Sequence, residues 1–278
     1  MKKHLSCAVL GFVLTGLLLL PSAQAKEKYV MGVHPYKPPQ ELYKKFKPIA
    51  DYLSTKLGKP VEFQIAQSYD DAANKVGTGA YDFAFLGPII YVDAHDKYGV
   101  VPLAQVANNK KPVFHGVIVV KKGSGITSLK ELKGKSIAFG ERHSTLTHLL
   151  PLWMIMDAGV RLPDLKEYRF AGTHDNVALN VARGAADAGG LMPDIAEKYK
   201  DQGIEVIARS PDLPEHVFAA TKSMDQKTVD LLQNALVGMD LALAKGIKDS
   251  ISNLQKFNDK DFDVLRKIMK QVGPELGK

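Results

Sequence analysis

Short apolar runs alternate with stretches of helical spacing along almost the entire chain, and this alternation limits the fold more than any other feature. The spacing predicts strands over 29–33, 61–65, 81–86 and 102–106, with helices over 38–57, 69–76 and 88–95 between and after them. A β-branched run over 114–120 reads as a central strand. Strands over 136–139, 168–171, 185–191 and 204–208 then alternate with helices over 144–159, 174–183 and 193–199. A return strand is expected over 217–221, and from 225 the pattern is helical, broken near Gly246 and Asn258. Alternation of this kind builds α/β layers, with mostly parallel sheets flanked by helices. The expected division is a first lobe of 26–117 with 222–278 and a second of 118–221, the chain crossing near 114–120 and 217–221.

The first 25 residues stand apart from this pattern. Lys2 and Lys3 precede an apolar run over 7–20, and Ala23-Gln24-Ala25 follows. A basic start, a short apolar stretch and an A-x-A site are the marks of a secretory signal, with cleavage expected after Ala25. The apolar stretch is shorter than the roughly 20 residues a membrane span needs. Cys7 is the only cysteine and lies in this segment. The exported chain is therefore expected to hold no thiol, which excludes disulfides, thiolate catalysis and cysteine metal ligands.

The net charge is +7, from 37 basic and 30 acidic residues. Apart from pairs such as Lys44-Lys45 and Lys110-Lys111, the lysines are scattered, so the clustered face that nucleic acid needs is missing. A mild positive field favours small anionic solutes.

Three predicted helix beginnings are suited to such a solute, because a helix start carries free N–H groups and partial positive charge. One is Ser144-Thr145, with Thr147 close behind and His148 one turn on. The second is Gly172-Thr173-His174-Asp175. There His174 is expected to donate to the ligand or to orient Asp175, and Asp175 to accept from a protonated ligand oxygen or an amino group. The third is Gly87-Pro88, where the backbone around Gly87 and Ile89 offers donors and Tyr91 follows in the helix. His115 is placed to reach the cleft from the crossing strand, and Asp187 to cap or brace a strand. Trp153, Met154 and Met156 read as core. No G-x-S-x-G elbow or P-loop is present, so catalysis is not expected. His143 and His148 are five apart, which is not the i,i+4 pairing of a helical metal site; no metal or cofactor is expected.

Several stretches, taken in order, resemble the periplasmic solute-binding proteins of the phosphate, phosphite and phosphonate group. They are Gly32-Val33-His34-Pro35-Tyr36, 46–53, 81–88, 126–135, Ser144-Thr145, Gly172-Thr173-His174-Asp175 and 181–189. The resemblance implies a two-lobed type II periplasmic binding fold and a small phosphorus oxyanion held between the lobes. It also implies that a tyrosine of the first lobe, here Tyr36, closes over the ligand. The expected partner is an ABC importer permease, or a histidine kinase ectodomain if the chain serves a sensor, and a monomer is expected. One departure stands out. The family reads Ser-Thr-Ser-Gly at the first helix start, whereas Leu146 and Thr147 hold its third and fourth positions here.

Overall fold

The computed structural model describes residues 26–276. The expected signal peptide, residues 1–25, lies outside the described residues.

The first half is built from β1 (Tyr29–Val33), α1 (Pro39–Leu57), β2 (Val61–Ile65), α2 (Tyr69–Thr78), β3 (Phe83–Leu86), α3 (Pro88–Tyr98) and β4 (Val101–Asn108). Helix α1 forms because Leu42, Phe46, Ile49, Ala50 and Leu53 share one buried face. It stops at Gly58, which takes the left-handed conformation (φ 65°) that suits glycine. The chain then crosses through β5 (Val113–Phe114) into β6 (Val117–Lys121), β7 (Ser136–Phe139), α4 (Leu150–Asp157), β8 (Glu167–Phe170), α5 (His174–Ala182), β9 (Ala188–Leu191), α6 (Pro193–Tyr199) and β10 (Ile204–Arg209). It returns through β11 (Leu213–Pro214) to β12 (Val217–Ala220), α7 (Gln226–Val237), α8 (Leu241–Lys245), β13 (Ile251–Gln255) and α9 (Asp263–Val272).

The larger sheet runs β2-β1-β3-β12-β4-β13 and the smaller β8-β7-β9-β6-β10. Both follow one plan. Three strands lie parallel in the order second, first, third; beside the third runs an antiparallel strand, β12 or β6, next to a crossing. Parallel pairing is thus confined to these three-strand units, and each sheet is mixed. A matching aspartate braces each unit. Asp82 Oδ2 accepts from Val30 N–H (2.7 Å), and Asp187 Oδ2 from the N–H and hydroxyl of Ser136 (2.7 Å each). Asp187 is therefore a brace, one of the roles expected for it.

Three expectations need correction. The run over 114–120 is broken after Phe114, because Gly116 exchanges bonds with Ser210 in place of continuing β5 (N–H to Oγ and N–H to C=O, 2.9 Å each). The stretch 217–221 was assigned to the second lobe, yet β12 lies in the first sheet, between β3 and β4. Strand β13 falls within the stretch from 225 expected to be helical, and its buried Ile251 and Leu254 are three apart. A bulge between Ile251 and Asn253 puts both on one face of a strand.

The crossing strands β5 and β11 pair antiparallel, Leu213 opposite Phe114. Helix α9 joins the halves a third time. Arg266 grips Asp96 of α3 (2.7 Å), while Gln271 accepts from the Trp153 indole N–H of α4 (2.7 Å). Just beyond α9, Glu275 accepts from Leu162 N–H (3.2 Å). Among the described residues, no helix is long and apolar enough to cross a membrane.

Candidate functional site

The carboxyl ends of the parallel strands in both sheets face one another, the usual place for a ligand in open α/β sheets. His34 follows β1, Gly87 follows β3, Gly140 follows β7 and Met192 follows β9. Between them lies a narrow crevice with room for little more than one water molecule, about 10 Å³. Its walls are His34, Tyr36, Tyr69 and Gly87 from the first half, His143, Ser144, Thr145, Leu146, His174 and Met192 from the second, and Phe114 and His216 from the crossings. No carboxylate is among the lining residues.

Two of the expected helix beginnings meet here. Ile89 N–H, in the first turn of α3, donates to Thr145 Oγ1 across the cleft (3.3 Å). The coil after Ser144 is not an α-helix at first: Thr145–Leu149 form a π turn before α4 begins. Pro151 supplies the reason. It has no N–H for the carbonyl of Thr147 four residues back, and its ring crowds that carbonyl. Thr147 C=O accepts from Gly140 N–H instead (2.9 Å), and the coil widens. Its first bond closes from Leu149 N–H to Ser144 C=O (3.1 Å), so the N–H groups of Thr145 and Leu146 have no partner within the coil.

Four histidines line the cavity, and His34, His174 and His216 are each oriented through Nδ1. His34 Nδ1–H donates to the Phe85 carbonyl (3.2 Å). A carbonyl only accepts, so the neutral ring carries its lone pair on Nε2. His174 Nδ1 accepts from Met192 N–H (3.2 Å), so its Nε2 carries the hydrogen. His216 Nδ1 lies 2.6 Å from Glu215 Oε1. Burial, reinforced by His216, holds His34 well below its ordinary pKa, and holds His174 at about 3. Burial likewise keeps the phenols of Tyr36 and Tyr69 un-ionised by raising their pKa. At neutral pH His34, His174 and the two tyrosines are therefore uncharged, and His34 Nε2 is a fixed acceptor.

His143, at the rim, joins the halves by charge. Its Nδ1 is 3.2 Å from Asp70 Oδ1 of α2 and 3.5 Å from Asp93 Oδ2 of α3. The bond to Asp93 raises its pKa, with burial opposing and Asp70 and Glu141 assisting. A raised value means that the contact contributes fully below about pH 6.5 and is lost as pH rises through the raised value. His143→Gln is accordingly expected to lower the melting temperature at about pH 6, with the gap to wild type closing towards about pH 9. A gap that stays constant across that range would contradict it.

Of the residues expected at the site, Tyr36, Gly87, Ser144, Thr145 and His174 line the cavity, and Ile89 reaches it through its backbone N–H. Pro88 serves as the first residue of α3. Five others lie elsewhere. Tyr91 is wholly buried, donating to Asp259 (3.0 Å) and packing on Phe262. His115 is on a different face, beside Arg209 (3.2 Å). The side chain of Thr147 packs against Gly140. His148, which an α-helix would place one turn from Ser144, is carried away by the wider coil; its Nδ1 bonds the Arg142 carbonyl (2.6 Å), between Phe139 and Phe170. Asp175 turns towards α6, held by Lys198 (2.5 Å) and the Tyr199 hydroxyl (2.9 Å). His34, Tyr69, Glu215 and His216 had not been singled out. The available signal was position, since His34 directly follows a strand as Gly87 does.

Comparison with known proteins agrees with this architecture. A family model described as ABC transporter, phosphonate, periplasmic substrate-binding protein matches residues 31–265. The phosphate-import protein PhnD of Mycolicibacterium smegmatis is 26% identical over 225 residues, 74% of this chain and 70% of that protein. A probable ABC transporter phosphite-binding protein of Prochlorococcus marinus, PhnD1, is 26% identical over 267 residues, 89% of each. A solved structure of PhnD1 with methylphosphonate superposes with a TM-score of 0.80 at 22% identity, over 89% of this chain and 98% of that one, and shares the type II periplasmic binding fold. With the family model spanning most of its length, the chain belongs to the periplasmic substrate-binding proteins of phosphonate ABC transporters.

Proposed function

We propose that the chain binds a small phosphorus oxyanion (a phosphonate, phosphite or phosphate) in the cavity between its halves and delivers it to a membrane permease. One observation carries this reading: a helix start from each half meets at a buried cavity lined by hydroxyls and imidazoles and free of carboxylates. Open amides at helix starts replace the water around an anion. The hydroxyls of Ser144, Tyr36 and Tyr69 and the His174 Nε2–H supply further donors. Each donor left unmatched by a ligand oxygen costs about 1–3 kcal/mol, which is how such a site selects. A neighbouring pocket shares Tyr36, Met192 and His216 with the cavity and opens towards Lys37, Glu41 and Lys248. It gives a substituent on phosphorus a place to lie. The amino-terminal segment fits export by a cleavable signal, which would put the mature chain outside the cytoplasm.

The test is a panel of phosphite, methylphosphonate, 2-aminoethylphosphonate, phosphate and sulfate against residues 26–278, read by thermal shift and calorimetry. A ligand at 100 times its dissociation constant adds about 2.7 kcal/mol, raising the melting temperature by about 5–10 °C. Gly87→Ala sharpens the test. Its methyl would sit 3.5 Å from His34 Nε2 and 3.6 Å from His216 Nε2, ordinary contact distances. It is expected to leave the melting temperature of the free protein unchanged and weaken oxyanion binding by at least about tenfold. Silence towards every phosphorus ligand would overturn the reading.

A further inference from the structure

We propose that His34 makes the site select oxyanions that carry a hydrogen on one oxygen, so that a phosphonate is accepted and the sulfonate of the same shape is refused. The inference rests on the reading of the cavity as an oxyanion site. Asp175, expected from the sequence to sense that hydrogen, is not among the cavity's lining residues: its Oδ1 is held by Lys198 and Tyr199, and its buried Oδ2 has no partner among the described residues. His34 is placed to do so. Its ring is 1% exposed. Tyr36 stacks with it (4.9 Å between centroids), His216 stacks with it (5.5 Å), and Tyr69 meets it in an edge contact (4.8 Å). Turning the ring over would give up the bond from Nδ1–H to Phe85. Nε2 therefore stays an acceptor beside Gly87 and the start of α3, and has no hydrogen-bond partner among the described residues.

A buried acceptor facing an oxyanion needs a hydrogen between the two. Burial and the neighbouring His216 oppose protonation of the ring itself, and His174 adds to that opposition. The hydrogen must then arrive on the ligand. Monoprotonated methylphosphonate and methanesulfonate have the same shape and the same charge, and only the first carries an O–H. His174 is the contrasting residue, since its Nε2–H suits any oxyanion oxygen.

Calorimetry with these two ligands at neutral pH is the experiment. The wild type is expected to bind methylphosphonate about 5- to 100-fold more tightly than methanesulfonate. His34→Gln, whose amide turns to donate or accept, is expected to bring that ratio close to one. His174→Phe should weaken both ligands and leave the ratio unchanged. Should His34→Gln fail to fold, the wild type alone decides. At alkaline pH, where free methylphosphonate is a dianion, binding should take up about one proton, read from its dependence on the ionisation heat of the buffer. A wild type that binds both ligands equally, a ratio untouched by His34→Gln, or no proton uptake at alkaline pH would overturn the role of His34 while leaving the oxyanion site standing. A wild type that binds no phosphorus oxyanion would overturn both.

Discussion

Replacing Glu215 by alanine is expected to cost about 3–5 kcal/mol of stability, the usual penalty for removing one partner of a buried ionic network. Glu215 is 2% exposed, between the crossing strand β11 and β12. It accepts from Asn108 Nδ2 (2.5 Å) and from the backbone N–H of His216 (3.0 Å), with Lys248 Nζ 3.6 Å away. It also holds the His216 ring that lines the cavity. Urea unfolding should show a lowered midpoint with an unchanged slope. Methylphosphonate binding should weaken as well, since the ring loses its anchor. The pH dependence has a definite sign. Burial would raise this carboxyl, but the His216 bond and charge and the Lys248 charge outweigh it and hold the pKa below the ordinary value. The contribution is then present above about pH 4.5 and lost as pH falls through the lowered value, so the gap between wild type and Glu215→Ala should shrink in acid. An unchanged urea midpoint at neutral pH would show that the network contributes nothing.

The second large effect is expected at Gly190, in the middle of β9. A methyl group there would lie 2.0 Å from Pro151 Cγ and 2.8 Å from the Leu146 carbonyl oxygen. One obstacle is a ring and the other is backbone, so neither moves aside cheaply. Gly190→Ala should cost about 3 kcal/mol, the upper end for added volume in a packed core. It should also weaken ligand binding, because pushing the π turn away from β9 displaces Ser144 and Thr145 from α3. Gly87→Ala is the comparison: it removes space for the ligand without straining the fold. A Gly190→Ala protein melting within about 1 °C of wild type would mean that the turn is not pressed on the sheet as described.

The parts of the site that were legible in the sequence are those written in local chemistry. Ser144 caps its coil by accepting from Thr147 N–H, Thr173 caps α5 by accepting from Asn176 N–H, and Gly87-Pro88 opens α3. Each is a short signal that needs no knowledge of the rest of the chain. The parts that were missed depend on topology. His34, Tyr69 and His216 lie on separate stretches and meet only because β1 and β12 flank β3 in the folded first half, with the start of α2 against His34. Thr147 and His148 were misplaced because regular helical spacing was assumed, whereas Pro151 imposes a wider coil. The same limit applied to β13, where a bulge imitates helical periodicity.

Helix α9 has one further consequence. Its grip on α3 runs through the Arg266 guanidinium, which contacts both oxygens of Asp96, whereas its bond to α4 is Trp153–Gln271, with Glu275 just beyond it holding Leu162 and Arg161. A rotation that parted the tail from the second half would break these latter bonds, at about 1 kcal/mol each. The tail is thus a link between the halves that lies away from the cavity. Loosening this surface strap is then expected to ease the parting of the halves without altering any residue that lines the cavity.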